Sequence, residues 1–229
     1  EGGLVSRIAS NPDMGFKPSA DAFDIGKTGD PHQAYDMGKQ IGTMLAQLGF
    51  NMDFAPVADI WSNPNNTVIG KRSFGQEAQV VSPMVIEVMK ALEEEKIVPV
   101  VKHFPGHGDT QEDTHVGRAF VDRSLEELAQ RELIPFQKAI DAGADMVMVA
   151  HVELAQIHPG IPASLSSKII TDLLKKQMNF QGLVITDALD MNAITNQFGP
   201  GQVALQSFLA GTDILLMPNI EETYLALLK

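Results

Sequence analysis

The sequence predicts an α/β protein whose parallel strands close into a (β/α)8 TIM-type barrel. Three observations lead there. Short, largely apolar runs alternate with longer amphipathic segments along the chain, and runs apolar on both faces belong to a parallel sheet covered on both sides by helices. Polar residues then stand at or just beyond the C-terminal ends of different runs: Asp59, Lys102 and His103, His151, Asp187 and Asn219. A barrel spreads its chemistry over many strand ends, whereas an open doubly wound sheet gathers it at one switch point. Finally, no Gly-rich phosphate fingerprint follows any run, as a nucleotide-binding open sheet would require.

The apolar runs place strands at 52–57, 97–101, 146–150, 183–186 and 214–217. Helical periodicity places helices at 32–49, 77–95, 124–141, 165–178, 200–210 and 220–229. The helix at 124–141 announces its own start. Ser124 and Glu127 form a Ser-x-x-Glu capping box, which satisfies two backbone donors that the first helical turn leaves orphaned. Leu125, Leu128, Leu133, Phe136 and Ile140 form its apolar stripe, and Gly143 suits its end. The Pro-, Gly- and Asn-rich stretch 62–70 reads as a long loop over the strand ends. Five visible runs fall short of eight strands, and barrels of this kind usually need about 250 residues. The chain begins Glu1-Gly2-Gly3 with no initiator methionine, so a first strand is expected to lie outside it. Residues 1–229 read as a single catalytic domain.

Composition narrows the function. The chain has 229 residues, 44% hydrophobic and 20% charged, an ordinary globular balance that supports a sizeable core. A net charge of −12 argues against nucleic acid or an anionic membrane as the main partner. With no cysteines, a disulfide, a thiolate nucleophile and a cysteine–zinc site are all excluded. No run is long enough to span a bilayer and no signal-peptide pattern opens the chain. A soluble protein is expected, in the cytoplasm or exported, with oligomeric state open.

The densest chemistry is Lys102-His103-Phe104-Pro105-Gly106-His107-Gly108-Asp109-Thr110-Gln111-Glu112-Asp113-Thr114-His115. Three imidazoles, one ammonium and three carboxylates follow directly on the apolar run 97–101, as in a buried strand emptying into a functional loop. Asp113 stands two residues before His115. A carboxylate so placed can accept from one ring nitrogen, fix the tautomer and prepare the imidazole as a general acid or base. Lys102 and His103 offer donors to the hydroxyls of a neutral substrate; the bland reading is an ion-paired lysine and a satisfied buried histidine. Arg72, in Lys71-Arg72-Ser73-Phe74-Gly75, offers an arginine fork, or else a surface ion pair. Asp187, beyond Gly182-Leu183-Val184-Ile185-Thr186, is either a nucleophile in the barrel mouth or a helix N-cap. Asp190 looks like a first-turn helix residue. A metal reading would use His103, His107, Asp109, Asp113 and His115. It is the weaker one, because Pro105-Gly106 prevents His103 and His107 from sharing a helical face. Neither metal nor cofactor is expected.

Taken together, the 102–108 motif and Asp113-Thr114-His115 resemble the signature of bacterial β-N-acetylglucosaminidases of glycoside hydrolase family 3. The resemblance extends in order through Glu1-Gly2-Gly3-x-Val5-x-Arg7, 51–59, Lys71 to Gly75, Ile185-Thr186-Asp187-Ala188-Leu189-Asp190-Met191 and Gly211-Thr212-Asp213-Ile214-Leu215-Leu216-Met217-Pro218. It implies a (β/α)8 domain that removes terminal β-linked N-acetylglucosamine from peptidoglycan or chitin fragments with retention. It further implies Asp187 as nucleophile, His115 as general acid/base, Asp113 as its orienting partner, and Arg72, Lys102 and His103 as groups gripping sugar hydroxyls. In the family an Asp-Gln pair precedes Glu-Gly-Gly, and that aspartate also binds sugar. The implied partner is a small carbohydrate.

Overall fold

The computed structural model describes residues 1–110 and 119–228. Helices α1 (Ala22–Gly26) and α2 (Pro31–Gln47) precede β1 (Met52–Asp53), and α3 (Ala78–Glu94) leads to β2 (Val98–Phe104). Then come β3 (Ala119–Val121), α4 (Leu125–Ala129), α5 (Leu133–Asp141), β4 (Met146–Val149) and β5 (Val152–Leu154). A π-helical segment (Lys168–Gln177), β6 (Leu183–Thr186), α6 (Asn192–Thr195), α7 (Pro200–Leu209) and α8 (Ile220–Leu227) complete the order.

The main sheet runs β1-β2-β4-β6, with every neighbouring pair parallel. A parallel bridge from Ile185 to Ile214 extends it by one position. Sequential parallel strands with helices between them make a sector of a (β/α)8 barrel. Among the described residues the ring does not close. The expected strand 214–217 is reduced to that one bridge, and 52–57 to the short β1 plus a bridge from Val57 to Lys102. Pro56 has no N–H to give to a ladder, yet the segment still pairs with β2. Val100 N–H donates to the Ala55 carbonyl, Lys102 N–H to that of Pro56, and Ala58 N–H to that of Lys102.

Strand periodicity sorts the side chains into two apolar layers. Val100, Met146, Met148 and Ile185 pack together on the inner face, against Met52, Phe54, Val98, Ile214 and Leu216. Their neighbours Val101, Val147, Val149 and Val184 join the larger cluster that the helices cover. Lys102 and Asp187 lie two residues beyond the inward-facing Val100 and Ile185, so the pleat carries both toward the barrel interior.

Two helices differ from expectation. The segment 124–141 is broken into α4 and α5, because Pro135 lacks an N–H and its ring crowds the carbonyl four residues back. The capping box is present at its start: Ser124 N–H donates to Glu127 Oε2 at 2.8 Å, and Glu127 N–H to Ser124 Oγ at 3.2 Å. The helix expected at 165–178 is wound as a π-helix over Lys168–Gln177. Strands β3 and β5, which pair in parallel with each other, were not expected from the sequence. No helix among the described residues is long and apolar enough to cross a membrane.

Candidate active site

The ends of β1, β2, β4 and β6 meet around a cavity of about 140 Å³. Arg72, Lys102, His103, His107 and Asp187 line it, with Glu1 at one side and Phe54, Met148, Met191 and Leu216 as its apolar walls. Four of the six residues to which the resemblance assigns roles therefore share one pocket. The other two, Asp113 and His115, lie outside the described residues. Asp190 is exposed and takes no part in the lining. A larger hollow, about 460 Å³ between Asn63, Asp109, Phe120 and Arg123, contains none of these groups.

Asp187 follows β6. Its N–H donates to the Val149 carbonyl at 2.9 Å, and its Oδ1 accepts from the Ala188 N–H at 2.8 Å. Burial works to raise its carboxyl. The opposing pull of His103, His151 and Lys102 and the Ala188 hydrogen bond outweigh that, and hold it below the ordinary carboxylate range. Asp187 is thus an anion at neutral pH.

The cations are tied together by Glu1. Its carboxylate accepts from Arg72 Nε at 2.6 Å, Arg72 Nη2 at 2.8 Å and Lys102 Nζ at 2.7 Å. Burial alone would raise the Glu1 carboxyl; these bonds and charges push it far below its usual value. Arg72 Nη1 also donates to the Val68 carbonyl, so the fork is fixed on three sides. The surface-pair reading of Arg72 is therefore replaced by a partly buried bidentate pair.

Asp59 does for His103 what Glu1 does for the cations. Wholly buried, it accepts at Oδ2 from His103 Nδ1 at 2.7 Å and from the His103 N–H at 3.2 Å, and at Oδ1 from the His107 N–H at 2.7 Å. Burial acts to raise this carboxyl, but His103, His107 and these bonds bring it below its ordinary value. His103 Nδ1 therefore carries its proton toward Asp59, and Nε2 faces Arg72 at 3.4 Å. The His107 imidazole is held below the usual histidine value by burial and by neighbouring His103.

The motif glycines serve the loop more than the ligand. Gly106 has φ +123°. At Gly108 a Cβ would stand 1.7 Å from the Ile60 carbonyl oxygen. The loop 62–70 clasps the same turn: Asn66 Nδ2 donates to the His107 carbonyl at 2.7 Å and to Thr110 Oγ1 at 3.1 Å. Among the described residues, no group of three or more His, Asp or Glu is placed to hold a metal. Glu1 and Asp59 were undervalued in the sequence, where Asp59 counted only as one of several strand-end polar residues and Glu1 only as part of a motif.

The family model of the glycosyl hydrolase family 3 N-terminal domain matches residues 1–229. Beta-hexosaminidase A of Pseudoalteromonas piscicida is 38% identical over 234 residues, which cover 95% of this chain and 38% of that protein. Beta-hexosaminidase of Stenotrophomonas maltophilia (strain R551-3) is 35% identical over 227 residues, covering 96% of this chain and 66% of the relative. Among solved structures, a glycoside hydrolase family 3 beta-N-acetylglucosaminidase from Paenibacillus sp. str. FPU-7 superposes with a TM-score of 0.92 at 41% identity, over 99% of this chain and 43% of that one. The beta-N-acetylglucosaminidase from Thermotoga maritima gives 0.83 at 33% identity, over 93% and 46%. The chain thus spans between 38% and 66% of the length of these two curated relatives.

Proposed function

The chain belongs to glycosyl hydrolase family 3, matching its N-terminal domain along its whole length, and from that premise we propose that it is the catalytic domain of a retaining exo-β-N-acetylglucosaminidase. Its substrates are terminal β-linked N-acetylglucosaminides of peptidoglycan or chitin fragments. The observation that carries this reading is the convergence of an ionised Asp187 with Arg72, Lys102 and His103 in one small cavity at the strand ends. The names of the relatives supply the N-acetylhexosamine.

The chemistry takes two displacements. A carboxylate oxygen of Asp187 attacks the anomeric carbon from the face opposite the leaving oxygen. As the glycosidic C–O bond breaks, His115 gives that oxygen its proton. A glycosyl ester on Asp187 results. Neutral His115 then takes a proton from water, whose oxygen attacks the same carbon and expels Asp187, so the configuration is retained. Asp113 orients the imidazole. Arg72, Lys102 and His103, whose own positions are set by Glu1 and Asp59, hold the sugar hydroxyls.

The test is to assay the purified protein on matched aryl β-N-acetylglucosaminide and aryl β-glucoside. Strong preference for the first supports the reading. Preference for the glucoside overturns the assigned specificity, and release from neither overturns the activity.

A further inference from the structure

We propose that His151 is a positioning residue for Asp187, acting through Ala188. The proposal rests on the reading of Asp187 as nucleophile. His151 lies two residues beyond β4, is 2% exposed, and lies outside the ring of side chains that line the cavity. Its ring is clamped at both nitrogens. Nε2 stands 2.8 Å from the Ala188 carbonyl oxygen and Nδ1 2.8 Å from Ser164 Oγ. A carbonyl oxygen only accepts, so Nε2 carries the proton and donates it there.

The clamp has its own anchor. Ser164 is fully buried; its N–H donates to the Ala150 carbonyl at 3.1 Å, and its carbonyl accepts from Ser207 Oγ at 2.5 Å. The imidazole is thus fixed in place and orientation by groups of the following loop and α7. At the other end, Ala188 connects it to the reaction. Its carbonyl receives the His151 bond while its N–H gives the 2.8 Å bond to Asp187 Oδ1. The Asp187 and Leu189 N–H groups are held by the Val149 and Leu216 carbonyls. Those bonds fix the backbone on either side of Ala188, and His151 fixes the residue between them. An attacking oxygen displaced by even 1 Å loses about 100-fold in rate. The electrostatics point the same way, since His151 stands with His103 and Lys102 among the groups that keep Asp187 ionised.

The experiment compares His151→Leu, His151→Gln and His151→Asn on the aryl N-acetylglucosaminide. It also follows the Asp187 carboxyl by 13C NMR titration, with circular dichroism and melting temperature as folding controls. Gln places a donor where Nε2 stood, whereas Asn places one where Nδ1 stood. We expect Leu and Asn to lower kcat about 100-fold at nearly constant KM, Gln to restore most of it, and the Asp187 titration to move upward in the Leu variant. Unchanged kcat per folded molecule in the Leu variant overturns the proposal and leaves His151 a purely structural residue. So does equal loss in Gln and Leu. Should the unaltered protein release no aglycone, the functional reading falls instead, and an unmoved Asp187 titration in the Leu variant separately removes His151 from its role.

Discussion

Asp59 and His103, forty-four residues apart in sequence, are joined by a 2.7 Å bond between carboxylate Oδ2 and ring Nδ1, reinforced by the His103 N–H at 3.2 Å on the same oxygen. The second carboxylate oxygen takes the His107 N–H, so one buried anion holds both histidines of the motif in register. The motif's shape is therefore set from the segment that follows β1.

Asp59→Asn keeps the volume and removes the charge. Its amide can no longer accept on both sides, so His103 loses its fixed tautomer. The expected result is a fall in kcat/KM of about 10- to 100-fold, the range seen when an orienting partner is lost. Steady-state kinetics on the aryl N-acetylglucosaminide check this.

Acid should unfold the protein through its buried carboxylates. Asp59, Glu1 and Asp187 each have folded values below their unfolded ones. Their stabilisation is fully present above the unfolded value near about 4, and is lost as pH falls through the folded values. Urea titrations at a series of pH values should show stability dropping below about pH 4. The drop should be shallower in Asp59→Asn, which has one such group fewer.

His115→Ala tests the proton donor. On a poor leaving group the first displacement needs protonation, so activity should fall sharply. An activated aryl leaving group departs unaided, and the loss there should be small. Equal losses on both substrates would take His115 out of that role.

Gly108→Ala should destabilise the fold. A methyl at that position overlaps the Ile60 carbonyl oxygen at 1.7 Å, and backbone on both sides must move. A cost of about 3 kcal/mol is expected from overpacking of this kind, read as a lower denaturation midpoint with unchanged slope. Gly29→Ala is the comparison: nothing lies within 4 Å of its Cβ position, so its cost is that of an alanine at φ +68° alone, without overlap.

Much of this was legible in the residues, and the exceptions have physical causes. Strands such as β4 read clearly because burial on both faces leaves only apolar side chains. The broken helix at Pro135 was also legible in principle: the proline interrupts a stripe that Leu128 and Leu133 otherwise continue. Strands β3 and β5 are three residues each, too short for any period to show. Lys102, His103 and Asp187 stand out in the sequence because charged groups at the ends of apolar runs are costly without a task, and Arg72 because it sits in the segment Lys71 to Gly75; the structure brings all four to one pocket. Glu1 and Asp59 were undervalued because their importance lies in partners 71 and 44 residues away, a distance that no local pattern encodes.

The most direct test of the account is to trap the covalent intermediate. A fluorinated N-acetylglucosaminide with an activated leaving group slows the second displacement, so the sugar accumulates on its nucleophile, and peptide mass spectrometry then locates it. The account predicts one added sugar on the peptide containing Asp187, and none in Asp187→Ala. A sugar on any other carboxylate, or product released with inverted configuration and no label, would contradict it.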